Sequence, residues 1–145
     1  MARTAIVAQA FSLVVSGVVL VAAWFHSASK PFDPKSLALD VAQLRTHAAE
    51  AALLIDGAHA LPSTLVREHA RQLADKVATI DHDLGQRDAG PALSDQQHAA
   101  IDCGNRLHAA LVRVAGGPDA ASSGQTFAAL AAQLATQQHR LDPSG

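Results

Sequence analysis

Apolar residues fall along this chain in two regimes. Residues 4–25 read TAIVAQAFSLVVSGVVLVAAWF, with no charged side chain. Beyond residue 33 the apolar positions recur mostly at steps of four and three, strictly alternating in the first two segments, which places them on one face of a helix. As a helix, the first stretch is about 33 Å long at roughly 1.5 Å per residue. A bilayer's hydrocarbon core is about 30 Å thick, so the length predicts a full crossing. Arg3 precedes it, Trp24 lies in its last turn, and His26 and Lys30 follow it, as expected at two interfaces. A cleaved signal peptide is the competing reading, with Val21-Ala22-Ala23 or Ser27-Ala28-Ser29 as the small-residue site. Signal h-regions usually run about 7–15 residues, and this run is longer, so a retained signal-anchor is expected.

The second regime divides into four amphipathic segments. Asp33-Pro34 supplies an N-cap and a first-turn proline. The first seam is Leu37, Val41, Leu44, Ala48, Ala51, Ile55 and Ala58, stopped by Gly57 and Pro62. A second helix is expected from Ser63 or Thr64, with Val66, Ala70, Leu73, Val77, Ile80 and Leu84 inward and Gly85 as the left-handed terminal residue. Residues 86–93 read as a loop. Ser94 with Gln97 matches a capping box for a third helix carrying Ala99, Cys103, Leu107, Ala110 and Val114, ended by Gly116-Gly117-Pro118. Ser122 with Gln125 offers a second such box, ahead of Phe127, Leu130, Leu134 and Leu141.

Short connections favour antiparallel neighbours. The expected fold class is all-α: a single N-terminal transmembrane helix followed by an antiparallel four-helix bundle. Residues 1–26 form the anchor, 27–33 a linker broken by Pro31, 34–142 the bundle and 143–145 a tail.

Composition adjusts this picture in one respect. Alanine occupies 32 of 145 positions, which favours helix but gives a thin core. Arg outnumbers Lys eight to three, which together with the alanine content suggests a GC-rich bacterial genome. A net charge of −2, dispersed along the chain, lacks the basic stripe of a nucleic-acid binder. Cys103 is the only cysteine and reads as a small buried hydrophobe.

Eight histidines are the remaining chemical resource: His26, His47, His59, His69, His82, His98, His108 and His139. No two are three or four apart, the spacing that points two ligands from one helix at one ion. Glu50 and Glu68 are the only glutamates, too few for a carboxylate-bridged di-iron bundle. There is no CxxCH haem signature, and Met1 is the sole methionine. No G-x-S-x-G, phosphate-cradling glycine loop or H-E-x-x-H occurs. The chain therefore reads as a non-enzyme, with no catalytic residue, metal site or cofactor assigned. His82, between Asp81 and Asp83, is the candidate pH-responsive group, because flanking carboxylates favour the imidazolium.

Within the membrane segment, Ala5, Gln9, Ser12, Ser16, Val19 and Ala23 follow steps of four and three and share one face. Small and weakly polar residues let helices approach closely, so this stripe is the candidate partner contact in the membrane. The expected function is a non-catalytic accessory or structural subunit of a larger membrane complex. A respiratory or photosynthetic assembly would suit it, though no residue selects one. Its partners are then the subunits of that complex and the lipid bilayer. The short tail before the segment favours an inner-membrane protein with the C-terminal domain in the periplasm. A second function class competes: a membrane-tethered sensory or ligand-binding bundle in which histidines hold a metal or haem. A three-residue tail on the far side of the span leaves such a sensor nothing to signal through except a partner.

Overall fold

Asp33 opens the first helix where the pattern places it. In the computed structural model, which describes residues 32–117 and 120–141 and, in the last helix, side chains from residue 123 onward, helix α1 spans Pro34–Asp56. The Asp33 carboxylate accepts the Ser36 N–H at 2.6 Å, and the Ser36 hydroxyl accepts the Asp33 N–H at 3.3 Å. Two donors that the helix start would leave unpaired are thus satisfied reciprocally, and Pro34 occupies a position that needs no N–H. After Gly57 a single 3-10 turn, Ala58–Ala60, leads to Pro62 and helix α2, Ser63–Gln86.

Two starts and one stop differ from the sequence reading. Helix α3 spans Gly90–Gly116 and begins four residues ahead of Ser94. Pro91 lies in its first turn, the Asp88 carboxylate accepts the Gly90 N–H at 2.9 Å, and Gly90 has a φ of 63°. That left-handed turn is cheap only for glycine, and it starts the helix before the Ser94–Gln97 box is reached. Gln97 instead turns inward and donates to the carbonyls of Leu84 and Arg87, both at 2.6 Å. Leu84 lies in the last turn of α2 and Arg87 is its C-terminal cap, and α2 passes through Gly85 without a left-handed cap: Gly90 is the only described residue in the left-handed region. Helix α4, Ala120–Leu141, likewise begins ahead of Ser122, which is not its cap.

The seams meet in one core. Leu37, Val41, Leu44, Ala48 and Ala51 of α1 are fully buried. The whole predicted α2 seam is buried, joined by Ala74. Cys103, Leu107, Ala110 and Val114 are buried on α3, where Ala100 replaces the expected Ala99, which is only partly buried, and Leu111 is added; Phe127, Leu130 and Leu134 are buried on α4. Ile55, Ala58 and Leu141 pack at the margins. Each large aliphatic side chain removed from water contributes about 1.5–3 kcal/mol. The interleaved alanines keep the helices close.

Side-chain pairs establish direction. Asp40 meets Arg87 and Glu50 meets His69, so α2 runs back along α1. Gln97 reaches Leu84 and Gly104 faces Asp81, so α3 reverses α2. Arg106 bonds Gln133 and Gln137 bonds Cys103, so α4 reverses α3. Arg45 bonds Gln138 while Ile55 touches Gly124, which makes α4 antiparallel to α1 as well. The four helices form an up-down-up-down ring in chain order, with α1 packed most extensively on α4 and α2 on α3. Among the described residues there is no strand, and no helix is long and apolar enough to cross a membrane.

Candidate functional site

Helix α1 has two apolar faces. One is the seam in the core. The other runs through Leu39, Ala42, Thr46, Ala49 and Leu53, again at steps of three and four, and therefore forms a second stripe along the helix. Leu39 is 64% exposed and Leu53 72% exposed, the largest values among the exposed large apolar residues. Beside this stripe, Gln138 and Leu141 of α4 form the wall of a shallow groove that opens at Asp33, Pro34 and Lys35. Arg45 crosses to that wall and donates to the Gln138 carbonyl oxygen at 3.1 Å. Thr46 donates its hydroxyl proton to the Ala42 carbonyl at 2.9 Å, so the one polar side chain in the stripe is satisfied within its own helix.

On the other flank of α1 lies a polar knot. Glu50 Oε1 is 2.9 Å from His69 Nε2 on α2, and Glu50 Oε2 is 3.6 Å from His47 Nδ1 one turn back. Burial pushes the Glu50 carboxyl upward, but the His69 and His47 contacts outweigh it and hold the group below its ordinary value. A second tie, Arg87 to Asp40 at 2.8 Å, closes the opposite end of the α1–α2 seam. There burial dominates over the Arg87 charge, and the Asp40 carboxyl is raised.

Asp81 is the outlier in the interior. Its carboxylate lies so close over Gly104 that a Cβ at that position would collide with it. Oδ1 is enclosed and has no hydrogen-bond partner among the described residues. Burial raises this carboxyl to about 6. Nearby Cys103 is buried, and burial pushes its thiol upward while the Gln137 amide donates to Sγ at 3.7 Å.

The residues singled out from the sequence are distributed as follows. Ala5, Gln9, Ser12, Ser16, Val19 and Ala23 lie outside the described residues. His82 is exposed on α2. Asp81, its neighbour in sequence, turns toward α3 instead, because successive residues of a helix point about 100° apart. His47, His69 and His108 are half-buried beside the seams, while His59, His98 and His139 are exposed. Among the described residues no three His, Cys, Asp or Glu side chains are placed to hold a metal ion. The His69–Glu50 contact joins residues 19 apart, beyond any local spacing rule. The outer stripe of α1 was open to the same spacing argument as the inner seam, but two of its five positions are alanine and one is threonine.

No protein-family pattern, curated protein or solved structure matches the chain.

Proposed function

We propose that this chain is a non-catalytic accessory subunit, tethered to a membrane by residues 4–25, that works by protein–protein contact through its bundle. The observation that carries this reading is the outer stripe of α1. A helix whose core face is already filled presents Leu39 and Leu53 to solvent at 64% and 72% exposure. Single exposed apolar residues are ordinary, but a continuous stripe with helical spacing is what a partner helix or groove recognises. The uncharged length of residues 4–25 supports the tether, and its small-residue face supports a second contact within the bilayer.

The test is purification of the full chain from native membranes in mild detergent. Ser12→Leu with Ser16→Leu removes the small residues of the membrane stripe, whereas Val14→Leu with Val18→Leu alters another face. Leu39→Glu with Leu53→Glu puts charge on the α1 stripe. The first pair is expected to release co-purifying protein while the second retains it, and the third is expected to release whatever molecule covers the α1 stripe, a second copy of this chain included. Equal recovery of partner with all three pairs would refute the contact reading.

A further inference from the structure

The outer stripe of α1 reads almost the same from either end. Lys35, Leu39, Ala42, Thr46, Ala49, Leu53 and Asp56 lie at steps of four and three along one face. Counting outward from Thr46, alanine is matched by alanine, leucine by leucine, and lysine by aspartate. A surface that binds a copy of itself across a two-fold axis must be self-complementary in this way, apolar with apolar and each charge with its opposite.

We infer that the outer face of α1 binds the same face of a second copy of this chain, antiparallel, with Thr46 on the two-fold axis. In that register Leu39 lies against Leu53 of the partner subunit, and Ala42 falls within one residue of Ala49 of the partner subunit. Lys35 at one end of the contact meets Asp56 of the partner subunit at the other. Small residues at the centre allow the two helix axes to approach toward the short end of the usual range of about 8–10 Å. The Thr46 hydroxyl already donates to Ala42 within its own helix, so closing the axis leaves no donor stranded. Arg45, next to the axis, is drawn away toward α4 by its bond to Gln138. On the other flank Glu50 is held by His69 and lies near His47.

A parallel pairing is disfavoured on the same grounds. It would set Lys35 against the partner's Lys35 and Asp56 against the partner's Asp56, and both side chains are exposed. It would also align the two helix dipoles head to head. The apolar part of the stripe, residues 39–53, is only about 21 Å long at roughly 1.5 Å per residue. One helix pair of that length buries less than the roughly 1,200–2,000 Å² of a standard interface. The dimer is accordingly weak in free solution and depends on confinement of both copies to one surface, which raises their effective concentration. This inference rests on the reading of the stripe as a contact surface, and names its occupant.

Disulfide trapping of the full chain in native membranes tests it, with mild copper–phenanthroline oxidation and non-reducing electrophoresis as the readout. Cys103 is buried and stays in place as an internal control. Thr46→Cys is expected to cross-link to itself. Leu39→Cys and Leu53→Cys are each expected to give monomer alone, and dimer when the two variants are co-expressed. Lys35→Asp in the Thr46→Cys background is expected to lower the dimer yield several-fold, and adding Asp56→Lys to restore it. Self-cross-linking of Leu39→Cys and of Leu53→Cys would indicate a parallel pair and overturn the register. Absence of dimer from every variant would overturn self-association. In that case alkylation of Leu53→Cys separates the two readings. Protection in native membranes but not after purification would leave a different partner on the stripe, with the proposed function intact. Equal labelling in both states would remove that reading as well.

Discussion

Replacing Asp81 by Asn should stabilise the bundle at neutral pH and should do so less and less as the pH falls. The carboxylate is half-buried against Gly104, with Oδ1 enclosed and unpaired, and burial raises it from an ordinary 3.8 to about 6. A carboxyl whose folded value lies above its unfolded one binds more protons folded than unfolded between the two values. Stability therefore falls as pH rises from about 4 to about 6, and the penalty is fully present above that window. At about 1.4 kcal/mol per pH unit the displacement corresponds to at most about 3 kcal/mol. Because the group is only half-buried, solvent screening reduces this to about 1–1.5 kcal/mol. The amide keeps the shape and removes the charge, so the gain in the Asp81→Asn variant should approach that value at pH 7. It should shrink toward a constant offset below about pH 4. Urea unfolding of both proteins by circular dichroism, repeated from pH 3.5 to 7.5, gives the difference directly, and other titrating groups cancel in it. A difference that does not vary across this range would refute the half-buried placement of Asp81 against Gly104.

Three further outcomes follow from the packing. Residues 32–145, which form one compact unit, should fold alone with a helical circular dichroism spectrum and a cooperative melt; a coil spectrum would mean that the bundle needs its partner to fold. Leu107→Ala and Leu44→Ala, both at fully buried sites, should each cost about 2–5 kcal/mol in urea unfolding, and a cost below about 0.5 kcal/mol would place them at the surface. Gln97→Leu keeps the volume but abandons the carbonyls of Leu84 and Arg87; it should cost about 1–3 kcal/mol, with faster amide exchange concentrated at the α2–α3 turn, and uniform exchange would refute that capping role.

The seams were legible because burial and helical period coincide. Every residue of the predicted α2 seam is buried, as are five of the predicted seven on α1. Helix starts were less legible, since the Ser94–Gln97 pattern satisfies a local rule while the backbone follows Gly90, Pro91 and a tertiary use for Gln97. Local rules see residues three or four apart. They cannot see Gln97 reaching 13 residues back to Leu84, or Glu50 reaching 19 residues forward to His69. The outer stripe of α1 was hidden for a different reason. On an alanine-rich helix with apolar residues on two faces, the contrast between faces is low, and only measured exposure tells which leucines are free. The Asp81–Gly104 contact has no sequence signal, because a carboxylate in a helix ordinarily faces water.

Closure of the ring in chain order has a consequence for synthesis on the ribosome. Helix α1 is made first, yet its most extensive partner is α4, which is made last. Helices α2 and α3 can pair as a hairpin as soon as both emerge. Until residue 141 leaves the exit tunnel, Leu37, Val41 and Leu44 lack the neighbour against which they are chiefly packed. Until α4 has emerged to join it, the nascent chain thus carries an open apolar face on α1.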